Sequence, residues 1–273
     1  LVEIKQKEKE QKKNKDTSDF YLGGRKLGPI VTAMSAEASD MSSWLLMGLP
    51  GAALIAGLAE ASWTAIGLAV GTYINWLIVA KRIRIYSSKI DAVTLPEFFS
   101  KRFGDNAGIL KLIAAIVIIV FFIPYTASGF SACGKLFESI FGIPYLTAMI
   151  VSGIVIVLYT ALGGFLAAST TDFIQSIVMT ISLVAVLGFG INYAGGWDQV
   201  CQNAEGLAGY LNFTVTHGAG SVAEAIAGTA GTKPYGALTI ASTLAWGLGY
   251  FGMPHILLRF MAIEKVEKIK LAR

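Results

Sequence analysis

Residues 32–51 read TAMSAEASDMSSWLLMGLPG and place two carboxylates, Glu37 and Asp40, inside a long apolar stretch. On insertion scales a carboxylate at the middle of a membrane helix costs about 2.5–3.5 kcal/mol. The serines around these carboxylates weaken a continuous helix, because their hydroxyls can replace backbone hydrogen bonds. The stretch therefore predicts a membrane span with a non-helical break within residues 37–43. Free carbonyl groups at such a break can bind a hard cation, and free N–H groups can bind a carboxylate.

The polar residues of this stretch also admit a plainer interpretation. Serine and aspartate side chains can hydrogen-bond a neighbouring helix and stabilise packing without binding a ligand. For Asp40 the cost of burial favours a functional role. Glu37 can instead lie near the cytoplasmic end of the span and extend its carboxylate into water, so both interpretations of Glu37 stay open.

A second apolar stretch repeats the pattern. Residues 245–255 read AWGLGYFGMPH, and three glycines and a proline in this short segment predict an interrupted helix. Its G-x-G-x-x-G spacing does not indicate a dinucleotide site, because no strand precedes it. Two interrupted membrane helices instead indicate a transporter with a binding site near the middle of the bilayer. Trp246 and Tyr250 would share a face if this turn stays helical, either as packing residues or as ligand contacts.

The composition indicates a membrane protein. Of its 273 residues, 54% are hydrophobic and 15% are charged, whereas soluble domains carry about 25% charged residues. The net charge of +4 does not indicate nucleic-acid binding, because the charges lie between long apolar runs. Two cysteines form neither a disulfide framework nor a zinc pattern. The apolar runs predict six membrane helices within 29–260, at about 29–58, 61–86, 109–138, 144–163, 170–193 and 236–260.

The basic residues predict the orientation. All but two of the 22 Lys and Arg residues fall on one side if six helices cross in succession, and the exceptions are Lys135 and Lys233. The positive-inside rule then places both ends of the chain in the cytoplasm, as a juxtamembrane loop at 1–28 and a segment at 261–273. Because the chain starts with a leucine and stops in a basic segment, we interpret it as a fragment of a longer protein.

Other features of the spans predict packing and capping. Gly67 and Gly71 form a small-xxx-small pattern that predicts close helix contact. Ser169, Thr170 and Asp172 stand where the fifth span is expected to open, and helix N-capping accounts for them.

Two further positions leave their role open. Tyr125 follows a proline inside the third span, where it can face a cavity or hydrogen-bond another helix. In the outer loop 194–235, we expect Cys201 and His217 to be exposed or packed rather than to bind a metal.

Four stretches together resemble the sodium:solute symporter family. They are YLGGR at 21–25, ASDMSSWLLMGLPG at 38–51, GLGYFGMPH at 247–255, and GGF at 163–165 followed by Thr171, Asp172 and Gln175. The resemblance runs from Asp19 to Met261. It implies an all-α polytopic membrane protein with part of a leucine-transporter-type inverted-repeat fold. The chain would hold family helices two to seven, that is, the first five-helix repeat plus one helix of the second.

The resemblance also implies roles for individual residues. Asp40 matches the family aspartate required for sodium coupling, and the carbonyls of Ala38 and Met41 match sodium ligands. Arg25 matches a cytoplasmic-loop arginine linked to coupling. The chain departs from the common family pattern at Glu37, Ser43 and Met253. Positions that line or adjoin the substrate cavity are matched by Ser42, Trp44, Tyr125, Trp246, Tyr250 and Pro254.

The resemblance implies sodium-coupled symport of a small amino acid, with L-proline as the expected substrate, across the cytoplasmic membrane. Sodium would be the co-transported ion, and membrane lipid would surround the protein. Neither a cofactor nor a nucleic-acid partner is expected. Two alternatives stay open: symport of another small organic solute, and a transporter-like membrane sensor module. An enzyme is not expected, since the sequence shows no nucleophile–base pair and no metal motif.

Overall fold

The computed structural model describes residues 18–273, without the side chain of Leu46. The part of the predicted juxtamembrane loop at 1–17 lies outside the described residues. Within 18–273 the chain is helical apart from loops and one two-stranded hairpin, which confirms the predicted all-α class.

The α-helices have widely different lengths. In chain order they are α1 Pro29–Asp40, α2 Leu49–Ala56, α3 Leu58–Asn75, α4 Lys81–Lys89, α5 Leu95–Phe103, α6 Ile109–Phe141, α7 Tyr145–Tyr193, α8 Trp197–Glu205, α9 Val222–Ala227, α10 Ala237–Leu244, α11 Pro254–Ala262 and α12 Ile269–Ala272.

Tighter and wider helical turns connect several of these helices. The 3-10 turns are Gly23–Arg25, Ala245–Phe251 and Val266–Lys268, and the π-helical turns are Trp44–Gly48 and Trp76–Ala80. The hairpin pairs β1 Val215–His217 with β2 Thr232–Pro234 in antiparallel register, with Thr216 opposite Lys233.

The helices that can cross a membrane lie in the middle of the chain. By length and composition, three described helical segments qualify: Leu58–Lys89, Ile109–Phe141 and Tyr145–Tyr193. They confirm a polytopic membrane protein. The predicted spans 61–86 and 109–138 lie inside the first two. The predicted span 170–193 lies inside the third, and the predicted span 144–163 begins one residue before it. The count of six crossings stays a prediction.

A glycine interrupts the longest helix. Gly164 in α7 has φ 59° and ψ −158°, a backbone conformation that is open essentially to glycine alone. The 49 residues of α7 would measure roughly 70 Å as one straight helix, far more than the roughly 30 Å of a bilayer core. The interruption therefore divides α7 into two pieces, each of membrane-spanning length.

The predicted N-caps at the start of the fifth span are wrong. Ser169, Thr170 and Asp172 lie inside α7, beyond the interruption at Gly164. The hydroxyl of Thr170 donates to the carbonyl of Leu166 one turn earlier, at 2.8 Å, as a mid-helix threonine does.

The chain divides into two compact units. The first unit comprises the described residues up to Asp40, with Trp76–Gln175 and Met253–Arg273; the second comprises Met41–Asn75 and Ser176–Gly252. The core of the first unit forms where the end of α11 is buried, and the ring of Trp76 packs on that of Phe260 with centroids 4.4 Å apart.

The second unit includes most of the outer loop. Its small core consists of Ala219, Ala225 and Ala230, which pack against Ile55 of α2. His217 is buried beside Tyr210, and its Nδ1 lies 2.9 Å from the carbonyl oxygen of Ala208. His217 is therefore packed; the sequence had left open whether it is packed or exposed.

Candidate functional site

The first interrupted helix has its break where the sequence predicts one. Helix α1 ends at Asp40, residues 41 and 42 are not helical, and a π-helical turn follows at Trp44–Gly48. The predicted break within 37–43 is therefore confirmed. Because the last carbonyl groups of a helix have no partner within it, this end of α1 presents acceptor groups next to the Asp40 side chain.

The second interrupted helix follows the same plan. Helix α10 ends at Leu244, the 3-10 turn Ala245–Phe251 follows, and α11 begins at Pro254. Met253 has an extended backbone with ψ 110°, and proline suits the first turn of α11 because it has no N–H to leave unpaired. The predicted interruption is confirmed.

The first unit brings three aromatic or charged side chains together around His255. The Nε2 atom of His255 lies 3.7 Å from Oδ1 of the buried Asp40. The ring of Tyr125 stacks on the imidazole with centroids 5.9 Å apart, and Phe122 meets it edge-on at 5.6 Å. Asp40, Tyr125 and His255, the residue after Pro254, are thus neighbours. The roles predicted for Asp40, Tyr125 and Pro254 stay predictions.

Sequence reasoning missed His255 itself. Both of its ring nitrogens are buried and have no hydrogen-bond partner among the described residues. Its position directly after Pro254, at the start of a half-helix, was the available signal.

A second polar cluster in the first unit centres on Arg259, which is only 7% exposed. Its Nη2 donates to Oδ2 of Asp172 at 2.6 Å, and its Nε donates to Oγ of Ser35 at 2.7 Å. The Ser35 hydroxyl donates in turn to the same Asp172 oxygen at 3.0 Å. The guanidinium also lies 5.6 Å from the ring centre of Phe165. The three polar side chains close a triangle that joins α1, α7 and α11.

Helices α1 and α11 lie side by side in opposite directions within the first unit. Asp40 meets His255 at one end and Ser35 meets Arg259 midway. At the other end the Leu27 N–H donates to the carbonyl of Ala262, and the Leu27 carbonyl accepts from the N–H of Glu264. The two half-helices are therefore tied together along their whole length.

Arg25 holds the end of this helix pair at which α1 begins and α11 ends. Its guanidinium donates to Oγ and the carbonyl of Ser87, to the carbonyl of Ala92 at 2.8 Å and to that of Met261 at 3.0 Å. Burial, and after it the nearby Arg84, lower the pKa of Arg25 below its usual range. Four oxygen acceptors offset the cost of burying this charge.

The second unit brings together two of the predicted aromatic residues. The rings of Trp44 and Trp246 have centroids 5.4 Å apart at an angle of 38°. Tyr250 differs from Trp246 in burial: Tyr250 is 6% exposed, whereas Trp246 is 49% exposed. Trp246 and Tyr250 were expected to share a face on the condition that the turn is α-helical, because residues four apart in an α-helix differ by about 40° in direction around the axis. In the observed 3-10 turn they differ by about 120°.

The close packing predicted for the glycine pair is confirmed in the second unit. A Cβ atom on Gly67 would lie 2.7 Å from the carbonyl oxygen of Leu244. A Cβ atom on Gly71 would overlap the backbone of Gly247. Helix α3 therefore lies flush against the backbone of the second interrupted helix.

Comparisons with known proteins agree with these features. The sequence model of the sodium:solute symporter family matches residues 20–273. The chain is 43% identical over 263 residues to the osmoregulated proline transporter OpuE of Bacillus subtilis (strain 168), covering 96% of this chain and 50% of that protein. It is 46% identical over 257 residues to the sodium/proline symporter of Haemophilus influenzae, covering 94% of this chain and 48% of that protein. The chain spans about half the length of the curated relatives it matches.

Proposed function

The chain belongs to the sodium:solute symporter family, and from that premise we propose that it carries the first substrate-binding and ion-binding elements of a sodium-coupled proline symporter. The observation that carries this proposal is the presence of two interrupted apolar helices at the motifs of the family. The printed names of the relatives, a proline transporter and a sodium/proline symporter, support proline as substrate and sodium as the coupled ion.

Sodium is proposed to bind at the end of α1. The carbonyl groups of Ala38 and Met41 are the proposed ligands, and the Asp40 carboxylate supplies the negative charge. Hard cations such as sodium prefer oxygen ligands, and a helix end supplies carbonyl oxygens without any further rearrangement. The break at residues 41 and 42 supports this assignment, because it leaves carbonyl groups of the last turn without helical partners.

Proline is proposed to bind through apolar contacts and through its carboxylate. Its ring is a compact apolar body that suits aromatic side chains, and its carboxylate suits the N–H groups that begin a half-helix. A sugar would need more hydroxyl partners than these side chains supply. The proposed substrate contacts are Ser42, Trp44, Tyr125, Trp246, Tyr250 and Pro254.

Arg25 is proposed to act in coupling from the cytoplasmic side. Its bonds to Ser87, Ala92 and Met261 support this role, because they hold the chain before α1 against the end of α11. The charge distribution supports a cytoplasmic location for both ends of the chain, in a protein of the cytoplasmic membrane.

Another small solute is the second candidate. Met253 stands where the family often has glutamine, next to the start of α11, and this departure favours a test of substrates other than proline.

The proposal is tested by uptake in cells. The complete reading frame that encodes this chain is expressed in a bacterial strain without proline uptake systems, and labelled L-proline uptake is measured in sodium and in potassium buffers. We expect uptake that requires sodium, is blocked by unlabelled L-proline and is unaffected by glucose or galactose. Uptake of a sugar or of a long-chain acid, with none of proline, would reject the proposed substrate.

A further inference from the structure

Helix α3 meets the second interrupted helix at three evenly spaced points, all inside the second unit. Gly67 lies against Leu244, and Gly71 lies against Gly247. At the third point the Nδ2 of Asn75 donates to the carbonyl oxygen of Tyr250 at 2.8 Å. The contacts are four residues apart on α3 and three residues apart on the partner segment.

These two spacings match only because the partner segment is a 3-10 helix. Four residues of an α-helix advance roughly 6 Å. Three residues of a 3-10 helix also advance roughly 6 Å, whereas three residues of an α-helix advance roughly 4.5 Å. If residues 244–250 were α-helical, the third contact would be displaced by about 3 Å, well beyond hydrogen-bond tolerance.

Asn75 supplies the directional contact of the three. The glycine contacts are steric and allow sliding, whereas a hydrogen bond requires a defined donor and acceptor position. Asn75 is 1% exposed, and its Oδ1 is buried without a hydrogen-bond partner among the described residues. Burying an amide oxygen in this way costs stability, so packing alone does not explain an asparagine here.

The helical form of residues 245–251 decides where two aromatic side chains point. In the 3-10 form, Tyr250 is buried and Trp246 is half-exposed beside Trp44. An α-helical form would bring Trp246 and Tyr250 within about 40° of each other around the helix. The hydrogen bond from Asn75 is made to Tyr250 itself, so its loss acts directly on the residue that would turn.

We propose that Asn75 is a positioning residue that holds residues 245–251 in 3-10 form and thereby sets the orientation of Tyr250 for substrate binding. The link to substrate rests on the proposed function. The link to helix form does not, and the two are tested separately.

The first test measures the helix form without transport. In a background without native cysteines, the labelling rate of the Tyr250→Cys variant with a membrane-permeable maleimide is compared with and without Asn75→Leu, which has the same branched shape and no donor. We expect labelling about fivefold faster with Asn75→Leu, the factor that one net hydrogen bond supplies. Asn75→Ala, which also lacks a donor, should act in the same direction. Asn192→Leu, at an exposed position of α7, is the matched control and should leave the rate unchanged.

The second test measures transport in the complete protein with Tyr250 present. Asn75→Leu should raise the half-saturating proline concentration about fivefold and leave the half-saturating sodium concentration, measured at saturating proline, within about twofold. If Asn75→Leu fails to accumulate in the membrane, Asn75→Ala decides the outcome. Unchanged labelling in both Asn75 variants, together with faster labelling in Gly71→Ala, would overturn the role of Asn75. Wild-type protein without sodium-driven proline uptake would refute the proposed function, and the labelling result would still decide the helix form.

Discussion

Arg259 donates a 2.6 Å hydrogen bond to Asp172, from 87 positions further along the chain, and both residues lie within or beside predicted membrane spans. Ser35 bonds to both partners, so α1, α7 and α11 share one polar contact. A charge buried in apolar surroundings is tolerated when it is paired and hydrogen-bonded. The pair therefore links three helices, and each partner depends on the other, because losing one leaves the other buried without its counter-charge.

Asp172→Asn should destabilise the protein strongly, because it leaves the Arg259 charge buried without its partner. Removing one member of a buried pair costs about 3–5 kcal/mol. The thermal midpoint in detergent, followed by size-exclusion chromatography, should fall clearly. The double variant Asp172→Asn, Arg259→Gln should recover part of the loss.

The ion pair of Lys101 and Glu97, which solvent reaches, is the matched control for this experiment, with an N–O distance of 2.7 Å. Glu97→Gln should cost no more than about 1 kcal/mol, because solvent screens the pair. Equal losses for Glu97→Gln and Asp172→Asn would contradict the argument from burial.

The Asp172 pair also shows where sequence reasoning reached its limit. The breaks at residues 41–42 and in 245–253 were predictable, because serines, carboxylates, glycines and proline act on the backbone beside them. The partner of Asp172 was not, since the contact is distant in sequence and Arg259 stands at the last turn of its predicted span, 236–260. The prediction of Asp172 as a cap was wrong, because the interruption lies earlier, at Gly164.

The orientation of Trp246 and Tyr250 was unpredictable for a different reason. Their segment is rich in glycine, and glycine permits both α and 3-10 geometry. The choice depends on α3, whose Gly67 and Gly71 contact the segment from elsewhere in the sequence. The close contact was therefore predictable from the glycine spacing, but its consequence for the helix form was not.

Gly164→Ala should destabilise the protein by about 1–3 kcal/mol, because its backbone conformation is strained for any residue with a side chain. The added methyl group would also lie 2.9 Å from the carbonyl oxygen of Phe20. The thermal midpoint of the purified protein in detergent measures the loss.

Gly188→Ala is the control for this change, since Gly188 lies in the regular part of α7 and a Cβ there meets nothing within 4 Å. It should be neutral or stabilise by up to about 1 kcal/mol. A loss at Gly188 equal to that at Gly164 would show that any change in α7 is harmful and that the interruption has no special role.

Asp40→Asn should retain the fold and lower the apparent affinity for sodium. The substitution keeps the size of the side chain and removes the negative charge beside the carbonyl groups at the end of α1. Sodium dependence of proline uptake, compared at equal amounts of protein in the membrane, is the measurement. An unchanged half-saturating sodium concentration would show that Asp40 is a structural neighbour of His255, and would remove the central residue of the proposed sodium site.

Trp246→Ala should raise the half-saturating proline concentration while sodium dependence remains. The indole is half-exposed and packs on Trp44, so its removal takes away apolar surface that a pyrrolidine ring can cover. Trp246→Phe keeps an aromatic ring and should lose less, which separates lost contact area from a general disturbance of the 3-10 turn. Trp197→Ala, at an exposed position that begins α8, is the matched control and should transport like the wild type. If Trp246→Ala and Trp197→Ala both leave proline half-saturation unchanged, Trp246 serves packing with Trp44 and does not contact the substrate.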